Sequence, residues 1–177
     1  MTTLTSPDQL LKSIKSTPAI DYRSDNVNFL QQEGAKAIEA IANEFAEKGT
    51  IKDLKVLALA LVRLGDVQVR DYAMGITNEE NIETMWCMWQ WLLAIAPQHY
   101  IAPVATIFAA ISYEKGESDI ALRAIDRAIE DDSKYPLARL LNRVFNAGWP
   151  PSSFASMRAE LHPKVCELIF GQASQAG

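Results

Sequence analysis

The sequence contains few of the side chains that build disulfide, metal or nucleophilic sites. Cysteine occurs only as Cys87 and Cys166, and histidine only as His99 and His162. Two cysteines are too few for a disulfide framework in a chain of 177 residues, and both stand in apolar stretches, so we predict reduced, buried thiols. All four residues together would make a Cys2His2 set by count, and His162 and Cys166 share one predicted helix face. Because no CxxC-like spacing joins them, we predict no metal site.

Signatures of catalysis are also missing. Neither histidine stands near a GxSxG or comparable nucleophile turn, and no glycine-rich phosphate loop occurs. The adjacent acids Asp131 and Asp132 point in different directions, which is typical of helix-cap and turn charges. Arg70 and Asp71 indicate a structural ion pair, because nothing else ionisable converges on them. We therefore predict no catalytic residue and no cofactor.

A basic stripe and a long apolar run are lacking as well. The chain has 17 Lys and Arg against 22 Asp and Glu, a net charge of −5, whereas nucleic-acid binders usually carry a basic patch. The first 16 residues mix lysines with apolar residues and have no continuous apolar core, unlike a signal peptide or a membrane span. We therefore expect a cytoplasmic protein that binds neither nucleic acid nor membrane.

Helical periodicity is abundant, and its clearest case is the stretch 103–141. Each half of this stretch places apolar residues at i, i+3, i+4 and i+7, and Gly116 between the halves supplies the positive φ that ends a helix. Small side chains let two helix backbones approach closely, so an antiparallel hairpin is predicted. The two stripes are Val104, Ile107, Phe108 and Ile111, then Ala121, Ala124, Ile125 and Ala128.

Similar stripes predict helices along the rest of the chain, and no alternation of period two indicates a strand. The fold class predicted is all-α, with about eight to ten helices in antiparallel pairs, either a right-handed tetratricopeptide-like superhelix or an irregular bundle. Pro163 is predicted to begin the last helix. The predicted organisation is an N-terminal strap helix in 1–24, one helical domain in 25–170 and a flexible tail in 171–177.

The most apolar segment, residues 85–96, is predicted to be the central buried helix, because only Gln90 within it is polar. Trp86 and Trp89 fall on one stripe and are predicted to lie in the core. A second stripe is the candidate dimer surface, since tryptophan and methionine are enriched at interface centres. Its members are Met88, Trp91, Leu92 and Ile95.

The predicted helix 136–147 has a polar face, which is the candidate surface for a partner protein. Its other face is predicted to point inward, with Leu137, Leu140, Leu141, Val144 and Phe145. Two arginines one turn apart can each hold a carboxylate bidentately, asparagines can bond an extended backbone, and a tryptophan at the rim adds apolar contact. The alternative interpretation is an ordinary solvated helix face. The residues are Arg139, Asn142, Arg143, Asn146 and Trp149.

Two resemblances follow from these stretches. The hairpin at 103–131 resembles a tetratricopeptide-type helix pair, although Ser133 stands where a proline usually follows the second helix. The second resemblance is to the helical C-terminal half of an uncharacterised actinobacterial family of unknown function. It is carried by three stretches in this order: LGDVQVRDYAMG, MWCMWQWLLAIAP, and the stretch from APVATIFAAISYEKG to GWPPSSF. The opening LTSPDQLLKSIKSTPAI is similar to the start of that family. The resemblance implies that the mixed α/β N-terminal region of the family is absent here and that a helical segment stands in its place.

The resemblance implies a helical array of actinobacterial or phage origin and carries over no catalytic residue. Together with the missing catalytic signatures, it makes a non-catalytic protein–protein interaction module our main functional interpretation. The alternatives are a structural homodimer, and a small metal-binding or enzymatic protein built on the same helices. The expected partner is another protein or a second copy of the chain.

Overall fold

The computed structural model describes residues 6–171, which contain nine α-helices and no strand. This confirms the all-α fold. The tail predicted at 171–177 lies, except for Gly171, outside the described residues. The helices are α1 Pro7–Lys15, α2 Val27–Lys48, α3 Leu54–Arg63, α4 Val67–Gly75, α5 Ile82–Ile95, α6 Ile101–Glu114, α7 Ser118–Asp131, α8 Pro136–Asn146 and α9 Pro151–Phe170.

The centre of the fold is α6, in which every residue from Ala102 to Tyr113 is buried. Helices α4, α5, α7, α8 and α9 all pack against it. The prediction that the segment 85–96 is the central helix is therefore wrong. Its helix, α5, packs on α6 and α2, and its Cys87, Gln90 and Ala94 are exposed because no element covers that side.

Helices α6 and α7 form the predicted hairpin. Gly116 has a φ of 86°, and the amide nitrogens of Gly116 and Glu117 donate to the carbonyls of Tyr113 and Ser112 at 3.0 and 2.9 Å. These bonds satisfy carbonyls at the end of α6 and turn the chain back along it. The hairpin is confirmed, whereas a tetratricopeptide-like superhelix stays a prediction.

The strap helix α1 packs on α3, with Leu10 and Ile14 buried in the main core. The segment after it is held by side chains at the turn between α3 and α4. Arg63 Nη1 donates to the Pro18 carbonyl at 2.8 Å, and the Tyr22 hydroxyl donates to Asp66 Oδ2 at 2.7 Å. The strap is thus tied to the body of the fold by both apolar and polar contacts.

Helix α9 continues through Pro163, so the prediction of two separate helices there is wrong. A proline inside a helix removes one backbone hydrogen bond and usually bends or ends the helix. Here apolar contacts hold both halves in place. Phe154 packs into the main core, and Val165 and Ile169 pack into a second cluster with Ala35 and Tyr72.

Candidate functional site

A groove of about 370 Å³ runs between α8 and α9, with α6 and α4 as its floor. Both walls are apolar because each helix turns one side of its apolar stripe toward the other instead of toward the core. The wall residues are Leu137, Leu140, Leu141 and Val144 from α8, and Phe154, Met157, Leu161 and Val165 from α9.

The rim of this groove is formed by large apolar side chains that remain exposed. The exposed fractions are 46% for Leu140, 50% for Trp149, 43% for Met157 and 49% for Leu161. These four are half of the large hydrophobic residues that are exposed in the described part of the chain. Contiguous exposed apolar surface of this kind marks interaction sites in soluble proteins.

The charges in the groove are neutralised in pairs. Arg158 makes a two-pronged pair with the Glu114 carboxylate, in which Nε lies 3.3 Å from Oε2, and its Nη1 donates to the Thr77 carbonyl. Arg70 Nε and Nη2 both donate to Asp71 Oδ1, at 2.9 and 2.7 Å, which confirms the predicted ion pair. Because each arginine already has its carboxylate, these groups fix the floor of the groove.

Beside the floor, His162 and Cys166 lie together as their spacing predicted, with Sγ 3.5 Å from Nε2. Burial lowers the pKa of His162, and the neighbouring Arg158 lowers it further. Burial also raises the pKa of Cys166, helped by the negative charge of Glu39. A reactive cysteine needs the opposite shifts, toward thiolate and imidazolium. The pair is therefore arranged as a neutral packing contact.

The exposure of the two thiols differs from the prediction. Cys87 is exposed on α5, so its prediction as a buried thiol is wrong, and Cys166 is half-buried. Within residues 6–171, no group of three or more His, Cys, Asp and Glu side chains could hold a metal ion. In the same range, no helix combines the length and apolarity that crossing a membrane requires.

A depression of about 460 Å³ contains the acidic pair Asp131 and Asp132. Asp131 accepts hydrogen bonds from the backbone nitrogens of His99, Ile101 and Ala102 at 2.7, 3.1 and 2.9 Å. The end of α7 thereby caps the start of α6, and the prediction of helix-cap charges is confirmed for Asp131. The Asp131 carboxylate in this depression is therefore already hydrogen-bonded to the backbone.

The predicted partner surface is divided by the ridge of α8. Arg139, Asn142 and Arg143 line a shallow depression of about 540 Å³ on the side of α8 away from the groove. Asn146 follows on the same face, where its Nδ2 donates to Asn142 Oδ1 at 3.0 Å. Trp149 lies on the other side and lines the apolar groove. That the two sides form one surface stays a prediction.

Two of the four residues of the predicted dimer surface are buried within this chain. Met88 and Leu92 have no exposed surface, so their assignment to an interface is corrected: they belong to the core of this chain. Trp91 and Ile95 are half-buried, and the Trp91 ring packs 6.1 Å from that of Phe45 on α2. The physical reason is that α2 and α6 cover two sides of α5. Dimerisation through the remaining two residues stays a prediction.

Sequence reasoning missed the groove because it assigned Leu140 to the core. The apolar stripe on α8 does not by itself indicate a groove. Five large apolar residues on an 11-residue helix match the usual density of about three to four per two turns, so they are compatible with a single core-facing stripe. They are Leu137, Leu140, Leu141, Val144 and Phe145.

A family model described as "Domain of unknown function (DUF4192)" matches residues 6–152. The match extends beyond the half of the chain that carries the resemblance, and it spans α1 to α8. It ends at the start of α9, so one wall of the groove lies almost entirely beyond it. No curated protein and no solved structure matches the chain.

Proposed function

The chain belongs to DUF4192, a family of unknown function, and from the groove between α8 and α9 we propose that it is a non-catalytic protein-interaction module. The proposed occupant is an amphipathic helix of a partner protein, with its apolar face in the groove. The observation that carries the proposal is the exposed apolar rim formed by Leu140, Trp149, Met157 and Leu161.

The energetic argument starts from the apolar surface left to bury. Complete burial of a large apolar side chain contributes about 1.5–3 kcal/mol, and roughly half of each rim side chain is still exposed. Four such side chains together would supply about 3–6 kcal/mol toward binding, before the entropy cost of association. Contacts from the floor and walls add to this, which supports a partner segment of moderate affinity.

The shape of the groove favours a helix as the occupant. Its α9 wall runs from Phe154 to Val165, about 16 Å at 1.5 Å per residue, which is three turns of a partner helix. A helix placed in such a groove is recognised through apolar residues at i, i+3, i+4 and i+7. An added strand would need an unpaired sheet edge, and residues 6–171 contain no strand.

A library of displayed helical peptides of about 16 residues, with leucines fixed on one face and the other positions randomised, tests this proposal. Peptides selected on the wild-type protein should bind at least about tenfold more weakly to Leu140→Asp and to Leu161→Asp, because each change puts a charge into the apolar rim. Phe29→Asp is the matched control. It changes a residue that is 64% exposed and lies outside the groove.

All three variants alter exposed residues, so circular dichroism should report wild-type helicity and an unchanged melting temperature within a few degrees. Peptides that bind Leu140→Asp as tightly as wild type, or a library that yields no helical binder, would contradict the proposal. A wild-type dimer that dissociates in Leu140→Asp during sedimentation would also replace it, because the occupant would then be a second copy of the chain.

A further inference from the structure

Helix α9 differs from the other helices in how it is attached to the fold. The match to the family model ends at residue 152, and the exposed residues 147–150, with Gly148 at a φ of 70°, connect α9 to α8. Helix α9 packs on α2, α4 and α6, whereas α8 packs on α6 and α7. The helix is therefore an added element that lies on the surface of the family domain.

Few side chains anchor α9 to the domain. Of its 20 residues, only Phe154, Val165 and Ile169 are buried. Phe154 belongs to the main core, whereas Val165 and Ile169 belong to the smaller second cluster. Pro163 lies between these two anchor points and has no N–H for a helix hydrogen bond. Regions with few buried apolar contacts and interrupted hydrogen bonding open at a low free energy.

Polar bonds join α9 to the domain at two separate places. In its first half, Arg158 pairs with Glu114 on α6. At its other end, two side chains of α2 donate to the Ile169 carbonyl: Gln32 Nε2 at 2.9 Å and Asn28 Nδ2 at 3.1 Å. All of these bonds are only partly buried, so water can take their place when the helix moves away.

We propose that α9 is a lid, which opens from α2, α4 and α6 as one unit while the rest of the domain stays folded, and whose closure builds the groove. This regulation rests on the proposed function, since it concerns the same groove. One wall, from Phe154 to Val165, is supplied by α9, so a partner helix finds its site only in the closed state. A ligand that binds one of two states shifts the population toward that state. Partner binding therefore holds α9 closed.

Hydrogen exchange of the full chain, measured by mass spectrometry, tests the opening. The amides of α9 should exchange at least about tenfold faster than those of α7. Helix α7 is the comparison because it also lies at the surface, but all of its buried residues belong to the main core. If α9 and α7 exchange at the same rate, α9 opens only when the whole domain unfolds. That result would overturn the inference and leave the groove proposal intact.

Ile169→Ala removes an anchor of α9 without touching the groove, because Ile169 belongs to the second cluster and does not line the groove. It should speed exchange about tenfold or more on both sides of Pro163 and leave α7 unchanged. Gln32→Ala, which removes one hydrogen bond to α9, should have a smaller effect on the same helix. Ile14→Ala is the matched control, since Ile14 is also buried but lies on α1. Faster exchange in the last turn alone, or an equal effect of Ile14→Ala on α9, would contradict opening as one unit.

One selected groove-binding peptide tests the coupling. At about 100 times its Kd, it should slow the exchange of the α9 amides about 100-fold, because it binds only the closed state. At the same concentration, Leu140→Asp should reduce this protection to about tenfold or less, since it weakens binding. A peptide that binds wild type and leaves α9 exchange unchanged would overturn the inference, because its site would not need the closed lid. If no selected peptide binds, the proposed function fails, and the coupling to α9 fails with it.

Discussion

Helices α5 and α6 have the same length and are both strongly apolar, yet the fold uses them differently. Both have 14 residues, and the sequence pattern gives either one an apolar surface on nearly all sides. In α6 every residue from Ala102 to Tyr113 is buried, whereas Cys87, Gln90 and Ala94 of α5 are exposed. Mean apolarity therefore does not determine which helix becomes the centre of this fold.

The size of the side chains separates the two helices. Helix α6 is rich in alanine, and its buried hydroxyls bond to its own backbone: Thr106 Oγ1 donates to the Ala102 carbonyl at 2.6 Å and Ser112 Oγ to the Phe108 carbonyl at 2.7 Å. Small side chains and satisfied hydroxyls let five neighbouring helices approach. The tryptophans of α5 instead occupy volume that neighbouring helices would otherwise fill.

The largest expected effect tests the part of α5 that does belong to the core. Trp89 has no exposed surface, so Trp89→Ala should lower the free energy of unfolding by about 3–5 kcal/mol through a cavity in the core. Trp86→Ala should lower the free energy of unfolding by clearly less. Trp86 is half-buried, and its main contacts are the hydrogen bond from Nε1 to Ser112 Oγ at 2.9 Å and the ring of Phe108. Urea denaturation of both variants gives the difference, and equal losses would contradict the placement of α5.

Alanine enlargement compares the two helices directly. Ala109→Leu in α6 should destabilise the protein by about 1–3 kcal/mol, because the added carbons meet packed neighbours at a site with no exposed surface. Ala94→Leu in α5 makes the same change on an exposed side and should alter stability by less than about 0.5 kcal/mol. Thermal and urea unfolding measure both. If Ala109→Leu were tolerated as well as Ala94→Leu, α6 would not be the tightly packed centre.

The starts of the two helices differ as well, and this gives a smaller effect. The start of α6 is capped from α7 by Asp131, whereas α5 begins from a local turn in which Asn78 Oδ1 accepts from the Asn81 nitrogen at 3.1 Å. Asp131→Ala should cost about 1–2 kcal/mol, because three backbone nitrogens lose their acceptor. Asp132→Ala removes only the bond to the Lys134 nitrogen and should cost less, as urea denaturation can measure. Equal losses would argue against a remote cap.

Local features of the fold were predictable from the sequence because they depend on a few neighbouring residues. Gly49, Gly116 and Gly148 each follow an apolar stripe, and each has a positive φ at or just after the end of its helix. The hairpin of α6 and α7 needs only its two stripes and a short turn. Such signals act within one or two helix turns, so periodicity and turn chemistry suffice to find them.

Features that depend on distant neighbours were not predictable in this way. The sequence assigned Leu140 to the core and Cys87 to an apolar interior, yet both are exposed, because no helix covers those sides of α8 and α5. It predicted a new helix beginning at Pro163, where contacts with α2 and α4 instead keep one helix continuous. The apolar groove arises from how α8 and α9 meet, which no pattern within either helix specifies.

The smallest expected effect concerns His162 on α9. Unlike the buried hydroxyls of Thr106 and Ser112 on α6, its side chain can change charge with pH. His162 has its pKa lowered by burial against Gly75 and Tyr72, and by the positive charge of Arg158. The ordinary pKa of histidine is about 6.5. As the pH falls through this value, the imidazole is protonated in the unfolded chain while it is still neutral in the folded chain. The free energy of unfolding therefore decreases. Above that pH, both states are neutral and the loss disappears. Urea denaturation between about pH 7.5 and about pH 5 should therefore show a smaller decrease for His162→Gln than for wild type. Carboxylates that titrate at low pH contribute equally to wild type and to His162→Gln. If the free energy of unfolding fell equally with pH in the two proteins, the imidazole ring would not be held in a neutral, desolvated position.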